Sequence, residues 1–315
     1  MKRLITALLL PALAALFTMT ASAADAPAQI RIGYQKGSVS MVLAKSHRLL
    51  EQRFPAMAIK WIEFPAGPQM LEALNIGSID LGSTGDIPPL FAQAAGADLL
   101  YVGSEPAKPK AEVILVPQNS PIHSVADLKG RKVAFQKGSS SHNLLLRALQ
   151  QAGLSFTDIQ PVYLTPADAR AAFQQGNVDA WAMDPYYSAA LQQGNVRVLT
   201  DGSTLNLTGS FYLATRQFAE ASPDTLSQVL ATFSEADALT QSQRAQSIDL
   251  LAQAMGLPEP VLASYLDHRP PTTITPVSER TAAAQQQTAD LFYSSHLLPV
   301  KLTIADRIWQ PRTAH

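Results

Sequence analysis

The pattern that most constrains the fold is an alternation of short apolar runs with helical segments, which occurs twice along the chain. The first series begins with an expected strand at residues 30–34, and the second with an expected strand at residues 132–136. Strands that alternate with helices of this kind are typical of an α/β fold with mainly parallel sheets. The sequence therefore predicts two α/β units.

Two motifs recur in the same order and at nearly the same spacing. Gln-Lys-Gly-Ser occurs at residues 35–38 and again 101 residues later at 136–139. "GSIDLGSTGD" at 77–86 resembles "GNVDAWAMD" at 176–184, with the two leading glycines 99 residues apart. Because a repeat at one fixed spacing indicates repeated structure, the two units are expected to be similar lobes.

Polar turns follow the expected strands of both series. They lie at residues 35–40 and 83–86 in the first series and at 138–141 and 181–184 in the second. In open α/β sheets, ligands bind beyond the carboxyl ends of the strands, where helices begin. If the lobes face each other, all four turns line one cleft.

The turn at 138–141 carries the chemistry of an anion site. A helix N-terminus offers unpaired N–H groups and a partial positive charge. Gly138 lets the backbone approach a ligand, and Ser139, Ser140 and Ser141 add hydroxyl donors. The alternatives are that serine is only an N-cap, that Trp181 is a core residue, and that Asp86 and Asp184 cap helices.

Composition excludes several classes of protein. Residues 1–23 combine Lys2 and Arg3, an apolar segment and Ala-Ser-Ala, which predicts a cleavable signal peptide. The chain has no cysteine, which excludes disulfides, thiolate metal sites and lipid attachment through cysteine. Its net charge of −1 argues against a nucleic-acid partner. We expect a soluble exported protein, best suited to a Gram-negative periplasm.

Motifs of common enzymes are missing from the sequence. It contains no G-x-S-x-G, H-E-x-x-H or P-loop motif, and its six histidines are scattered. His142 alone lies near a predicted turn. The sequence therefore favours a binding protein over an enzyme and predicts no catalytic residue, metal or cofactor.

Long stretches of the chain resemble one known family. "RIGYQKGSVSMVLAKSH", "FPAGPQMLEALNIGSIDLGSTGDIPP", "VADLKGRKVAFQKGSSSHNLLLRAL" and "SYLDHRPPTTI" are similar to periplasmic aliphatic-sulfonate-binding proteins of ABC importers. The resemblance implies a two-lobed periplasmic-binding-protein fold of type II, in a monomer that delivers an alkanesulfonate to membrane permease subunits. It also implies that residues 24–115 and roughly 216–315 form one lobe and 116–215 the other.

The resemblance also implies a set of ligand-binding positions. They are Gln35, Thr84 and Gly85 in the first lobe, and Gly138, Ser139, Ser140 and Trp181 in the second, near Asp184; Ser141 completes the serine turn. The relatives carry a D-A-W-x-x-W-D-P pattern, whereas "DAWAMDPYY" here is one residue shorter. That difference leaves taurine, nitrate or an aromatic sulfonate open as the ligand. An enzyme of pyrimidine-precursor type on the same scaffold is a further alternative.

Overall fold

A computed structural model of the chain describes residues 27–183, 195–269 and 272–310, which form two five-stranded sheets. The first sheet contains β1 (Gln29–Tyr34), β2 (Ala58–Glu63), β3 (Leu81–Thr84), β4 (Leu99–Ser104) and β10 (Phe211–Thr215). The second contains β5 (Val113–Pro117), β6 (Lys132–Phe135), β7 (Gln160–Tyr163), β8 (Ala180–Met183) and β9 (Val196–Asp201). The two-lobed α/β fold expected from sequence is therefore present.

The two sheets share one topology. Their strand orders are β2-β1-β3-β10-β4 and β7-β6-β8-β5-β9. In each sheet four strands run in one direction, and the fifth, β10 or β5, pairs antiparallel with both of its neighbours. The expectation of mainly parallel sheets is thus confirmed for four strands of each sheet. The one antiparallel strand makes each sheet mixed, and it comes from a segment that has just crossed from the other lobe.

The crossing strands also shift the lobe boundaries expected from sequence. A boundary between residues 115 and 116 would divide β5, which pairs wholly within the second sheet. A boundary at 215 would assign β10 to the second lobe, yet β10 pairs with β3 and β4 of the first. The chain therefore crosses between lobes in two segments, at residues 105–112 and 202–210.

Helices flank both sheets. The first lobe begins with α1 (Val39–Ser46), α2 (Leu49–Arg53), α3 (Gly67–Asn75) and α4 (Pro88–Ala94). The second lobe contains α5 (Ser140–Gln151) and α6 (Pro166–Gln174). After the return crossing come α7 (Arg216–Ala221), α8 (Pro223–Ser242), α9 (Arg244–Met255), α10 (Glu259–His268) and α11 (Glu279–Ser294). None of the helices in the described ranges is long and apolar enough to span a bilayer.

The C-terminal segments complete the first lobe. Although β4 lies at the edge of its sheet, all six of its residues are buried. The Ser104 amide donates to the Thr275 carbonyl at 2.8 Å, and the Trp309 amide donates to the Tyr101 carbonyl at 3.0 Å. These bonds protect an edge that would otherwise be open to pairing with another chain.

A fully buried ion pair ties α8 to the end of α10. The Arg269 guanidinium donates to both carboxylate oxygens of Asp237, and the Thr272 amide donates to Asp237 Oδ1 at 2.8 Å. The side chains of Arg269 and Asp237 are 1 % and 0 % exposed. A buried charge of this kind is tolerated because it is both paired and hydrogen-bonded.

Candidate ligand-binding cleft

A cavity of about 280 Å³ lies between the two lobes, at the carboxyl ends of their parallel strands. The strand-to-helix turns that line it lie beyond the carboxyl ends of strands in both sheets. This is where ligands bind in open α/β sheets. Its polar lining includes Gln35, Ser38, Ser83, Thr84, Gln136, Ser139, Ser140, Ser141, Thr208 and Ser210. The cavity is small, which suits a ligand of few atoms.

Helix N-termini supply backbone donors on both sides of the cavity. The helices α1, α3 and α5 begin at lining residues, and their N-cap residues are Ser38, Ala66 and Ser139. At none of these three helix ends does the N-cap side chain accept a hydrogen bond from an N–H group of the first turn. The N–H groups of the first helical turn have no acceptor inside their own helix. Three partial positive charges therefore face one small volume.

The serine turn of the second lobe adds hydroxyl groups. Ser139 Oγ lies 2.8 Å from the Gln136 carbonyl and 2.8 Å from Ser141 Oγ. Because a hydroxyl hydrogen rotates about its C–O bond, these groups can also donate to an anion in the cavity. Ser139, Ser140 and Ser141 all line the cavity, as their place in the sequence predicts.

Gly138 contributes to the backbone conformation of this turn. Its φ of +75° lies in the left-handed region that glycine adopts readily. Its amide donates to Nδ1 of His142 at 3.2 Å, and Gly138 is not among the described lining residues of the cavity. Gly138 is thus placed as a backbone element of the turn, with its own N–H engaged by His142.

His142 is a packing residue in this structure. Only 1 % of it is exposed, and its ring lies 5.0 Å from those of Phe135 and Phe292, measured between centroids. Burial, together with the positive charge of Lys137, lowers the pKa of His142 to about 4. The imidazole is therefore neutral above about pH 5, so that Nδ1 remains available to accept the Gly138 amide.

The first-lobe turns form the opposite wall. Gln35 Nε2 donates to the Ser83 carbonyl at 3.1 Å, which directs the Gln35 side chain into the cleft. Thr84 is 3 % exposed, and its Oγ1 would lie 2.0 Å from a methyl group on Gly67. Gln35, Thr84 and Gly85 all line the cavity. The structure therefore brings these three predicted residues together with the serine turn.

Both lysines among the described lining residues are paired with a carboxylate. Lys36 Nζ lies 3.5 Å from a carboxylate oxygen of Glu63, and Lys108 donates to Glu105. Burial raises the pKa of Glu105, but Lys108, Arg269 and the hydroxyl of Tyr212 bring it down to about 2. Among the described lining residues there is no arginine. An anion here would be held mainly by neutral donors.

One predicted residue, Trp181, lies away from the cavity, and another, Asp184, has no described position. Trp181 is 3 % exposed and packs within the second lobe, with its ring centroid 5.9 Å from that of Phe173. It is not among the described lining residues of the cavity, because its position on β8 turns it toward α6. Asp184 and the shortened turn that follows β8 lie outside the described residues.

Several lining residues were not predicted from sequence. Glu63 is the last residue of β2, Phe64, Pro65, Ala66 and Gly67 come directly after it, and Pro166 begins α6. Both are strand-to-helix turns at the same sheet edge, so the rule that identified the other turns could have found them. The remaining residues come from the crossings and from α10, and their places depend on tertiary packing: Glu105, Lys108, Ala111, Glu112, Thr208, Gly209, Ser210 and Tyr265.

The arrangement is suited to binding. Among the described residues there is no group of three or more His, Cys, Asp or Glu side chains placed to hold a metal ion. The histidine nearest the serines is buried and bonded to a backbone amide. Two similar lobes joined by two crossings, with helix N-termini around the cleft between them, define the class of two-lobed solute-binding proteins.

Comparison with known proteins agrees with this class. The family model described as "NMT1/THI5 like" matches residues 59–247. An aliphatic sulfonates-binding protein of Escherichia coli K12 is 73 % identical over 310 residues, which cover 98 % of this chain and 97 % of the relative. The chain belongs to the NMT1/THI5-like family and, within it, to the aliphatic-sulfonate-binding proteins.

Solved structures give the same result. The periplasmic aliphatic sulphonate binding protein SsuA from Escherichia coli is 75 % identical, with a TM-score of 0.87 over 92 % of this chain and 94 % of that one. The alkanesulfonate-binding protein SsuA from Xanthomonas axonopodis pv. citri, bound to MOPS, is 59 % identical. Its TM-score is 0.88, over 90 % of this chain and 98 % of that one. All three of these relatives are named as binding proteins.

Proposed function

We propose that this protein is the solute-binding component of an ABC importer, and that it captures aliphatic sulfonates in the cleft between its lobes. The proposal is supported mainly by one arrangement: the uncapped N-termini of α1, α3 and α5 face one small cavity in which the lysines are paired with carboxylates. The relatives named for aliphatic sulfonates support the choice of ligand.

The sulfonate would be held by neutral donors. A sulfonate is ionised throughout the cellular pH range and presents three acceptor oxygens. The backbone N–H groups of Ser140 and Ser141 and the hydroxyls of Ser139 and Ser141 would donate from the second lobe, with Thr84 and Gly85 opposite. Neutral donors bind an anion less strongly than a bidentate arginine does, which keeps release to a permease possible. The alkyl tail would contact the apolar surface of Phe64 and Tyr265.

Calorimetry with alkanesulfonates of two to eight carbons tests this function. We expect heat of binding with at least one of them, and a rise in melting temperature at saturation. The double variant Ser139→Ala/Ser141→Ala should weaken ethanesulfonate binding by about a hundredfold or more, since each of the two lost bonds to a charged group is worth ~1.5–3 kcal/mol.

A control separates local from general effects. Ser242→Ala removes an exposed serine at the end of α8, whose Oγ donates to the Ala238 carbonyl, and should leave affinity unchanged. Absence of both heat and melting shift with every alkanesulfonate would refute the proposal. Taurine, nitrate and an aromatic sulfonate, titrated in parallel, would then identify or exclude the other anions.

The proposal includes location and partners. Residues 1–23, which lie outside the described residues, would direct export and then be cleaved off. The mature protein would act as a periplasmic monomer that docks on membrane permease subunits. N-terminal sequencing of the secreted protein should give a start near Ala24. A strain that lacks the gene for this protein should not grow on ethanesulfonate as sole sulfur source, and neither should a strain that lacks its permease.

A further inference from the structure

A buried carboxylate lies directly behind the first-lobe side of the cleft. Asp86 follows Thr84 and Gly85 in the turn after β3, and only 2 % of it is exposed. It is not among the described residues that line the cavity, so its carboxylate faces the protein. Because Asp86 is next to two lining residues in sequence, the hydrogen bonds that hold Asp86 also affect where those two residues lie.

The contacts of Asp86 reach three other segments of the chain. Its Oδ2 accepts hydrogen bonds from Asn143 Nδ2 at 2.6 Å and from Thr208 Oγ1 at 2.9 Å. Its backbone carbonyl accepts from Gln285 Nε2 at 2.6 Å. Both the side chain and the backbone of this residue are therefore held by groups that are far away in sequence.

These partners belong to both lobes and to a crossing segment. Asn143 lies in the first turns of α5, two residues after Ser141, and so belongs to the second lobe. Thr208 lies in the crossing that returns to the first lobe, whereas Gln285 belongs to α11 of the first lobe. Asp86 thus connects the first-lobe turn that carries Thr84 with the second-lobe helix that carries the serines. It also connects both with the crossing segment at Thr208, about which the lobes would move.

A second link runs parallel to the first. Arg147, one turn further along α5, donates to Asn143 Oδ1 at 2.9 Å and to Thr288 Oγ1 of α11 at 2.9 Å. Thr208 Oγ1 also lies 3.3 Å from Gln285 Oε1. We call this set the inter-lobe tie, and its members are Asp86, Asn143, Arg147, Thr208, Gln285 and Thr288.

Burial disfavours the ionised form of the Asp86 carboxyl group. Burial raises the pKa of its carboxyl group to about 6, although hydrogen bonds from Thr208, Asn143 and Ser140 and the charge of Arg147 oppose the rise. The other titratable group that senses this charge is Tyr101 of β4, whose phenol pKa is raised by burial and by Asp86. A bound sulfonate nearby would place a second negative charge close to this carboxylate.

We propose that Asp86 is a positioning residue that sets the separation between the first-lobe turn at Thr84 and Gly85 and the second-lobe serine turn, through its bonds to Asn143 and Thr208. Proton uptake by Asp86 strengthens anion binding, because it removes a negative charge from the region behind the anion. This inference rests on the proposed function for its ligand, but the tie between the lobes can be measured without any ligand.

Affinity for ethanesulfonate gives the first test. Asp86→Ala and Asn143→Ala should each weaken binding about tenfold at pH 7.5, whereas Asp86→Asn, which retains a carbonyl oxygen and carries no charge, should bind at least as tightly as wild type at that pH. Wild-type affinity should rise several-fold between pH 7.5 and 5, and the profile of Asp86→Asn should be flat. Asp290→Asn on the exposed face of α11 is the matched control and should behave as wild type.

Distance measurement gives a second test that needs no ligand. Because the sequence has no cysteine, Ile76→Cys and Gln175→Cys place one spin label on the outer end of each lobe. Electron–electron resonance on the unliganded protein should show a broader or longer distance distribution in Asn143→Ala than in the wild-type pair. If Asn143→Ala does not fold, Thr208→Val removes a donor to Asp86 without changing side-chain size and should broaden the distribution in the same way.

The two tests separate the two proposals. If the wild type binds no sulfonate but the distribution still broadens in the variants, the proposed function fails and the tie stands. If the wild type binds ethanesulfonate while the variants match it in affinity, pH profile and distance distribution, the role of Asp86 is overturned.

Discussion

Gly85 of the first lobe faces Ser140 of the second so closely that a methyl group on Gly85 would lie 1.9 Å from Ser140 Oγ. Real Cβ atoms do not approach another atom within this distance, so a larger residue at position 85 must displace Ser140 Oγ, and its Cβ would still lie 3.2 Å from that of Ser140. The glycine is therefore required by contact between lobes. Gly85 does not have a positive φ, so its backbone conformation does not require glycine.

Gly85→Ala should weaken ethanesulfonate binding by about tenfold or more while the unfolding free energy changes little. The added methyl group pushes the first-lobe turn away from α5, but the core of neither lobe is altered. Titration calorimetry and urea denaturation measure the two effects. Adding Ser140→Ala removes Oγ and leaves the nearest approach at 3.2 Å, to Cβ, so the double variant should bind more tightly than Gly85→Ala alone.

Trp181→Ala should destabilise the protein without changing which sulfonate it prefers. The side chain is packed against Phe173 inside the second lobe, and truncating a buried aromatic residue to alanine costs about 3–5 kcal/mol. Trp181→Phe should cost less. Urea denaturation measures the stability, and relative affinities for ethanesulfonate and octanesulfonate measure the preference. A large change in that ratio for the folded Trp181→Phe protein would place Trp181 at the ligand.

The stability of the protein should depend on pH through Asp86. Its pKa is raised from 3.8 to about 6 in the folded state, so the carboxyl group favours folding when protonated. That contribution is fully present below about pH 4 and is lost as pH rises through 6. The unfolding free energy of wild type relative to Asp86→Asn should therefore fall by up to about 3 kcal/mol between pH 4 and 7.5. Equal pH slopes for the two proteins would contradict this expectation.

Asp237→Ala should cost about 3–5 kcal/mol of unfolding free energy, because it leaves the Arg269 guanidinium buried without its partner. Replacing both residues, as in Asp237→Leu/Arg269→Met, should cost less than the single change, since no buried charge is left unpaired. Urea denaturation of the single and double variants measures the difference. A double variant less stable than Asp237→Ala would show that the pair itself stabilises the fold.

Local sequence was sufficient to predict three of the strand-to-helix turns at the site, those at residues 35–40, 83–86 and 138–141. Gln35, Thr84, Gly85 and the three serines at 139–141 all line the cleft. The reason is that a parallel strand followed by a helix always places its turn at the carboxyl edge of the sheet, and the first helical turn there carries unpaired N–H groups. The repeat of Gln-Lys-Gly-Ser further indicated that the two lobes would supply similar turns.

Tertiary structure alone decided which other residues reach the cleft and which do not. The crossings determine that Glu105, Lys108 and Thr208 lie at the site, because two segments distant in sequence pass side by side between the lobes. Trp181 looked equally well placed in sequence, yet the face of β8 on which it lies packs against Phe173. Likewise, Asp86 reads as a helix cap in sequence, and only the docking of α5 and α11 makes it the centre of an inter-lobe tie.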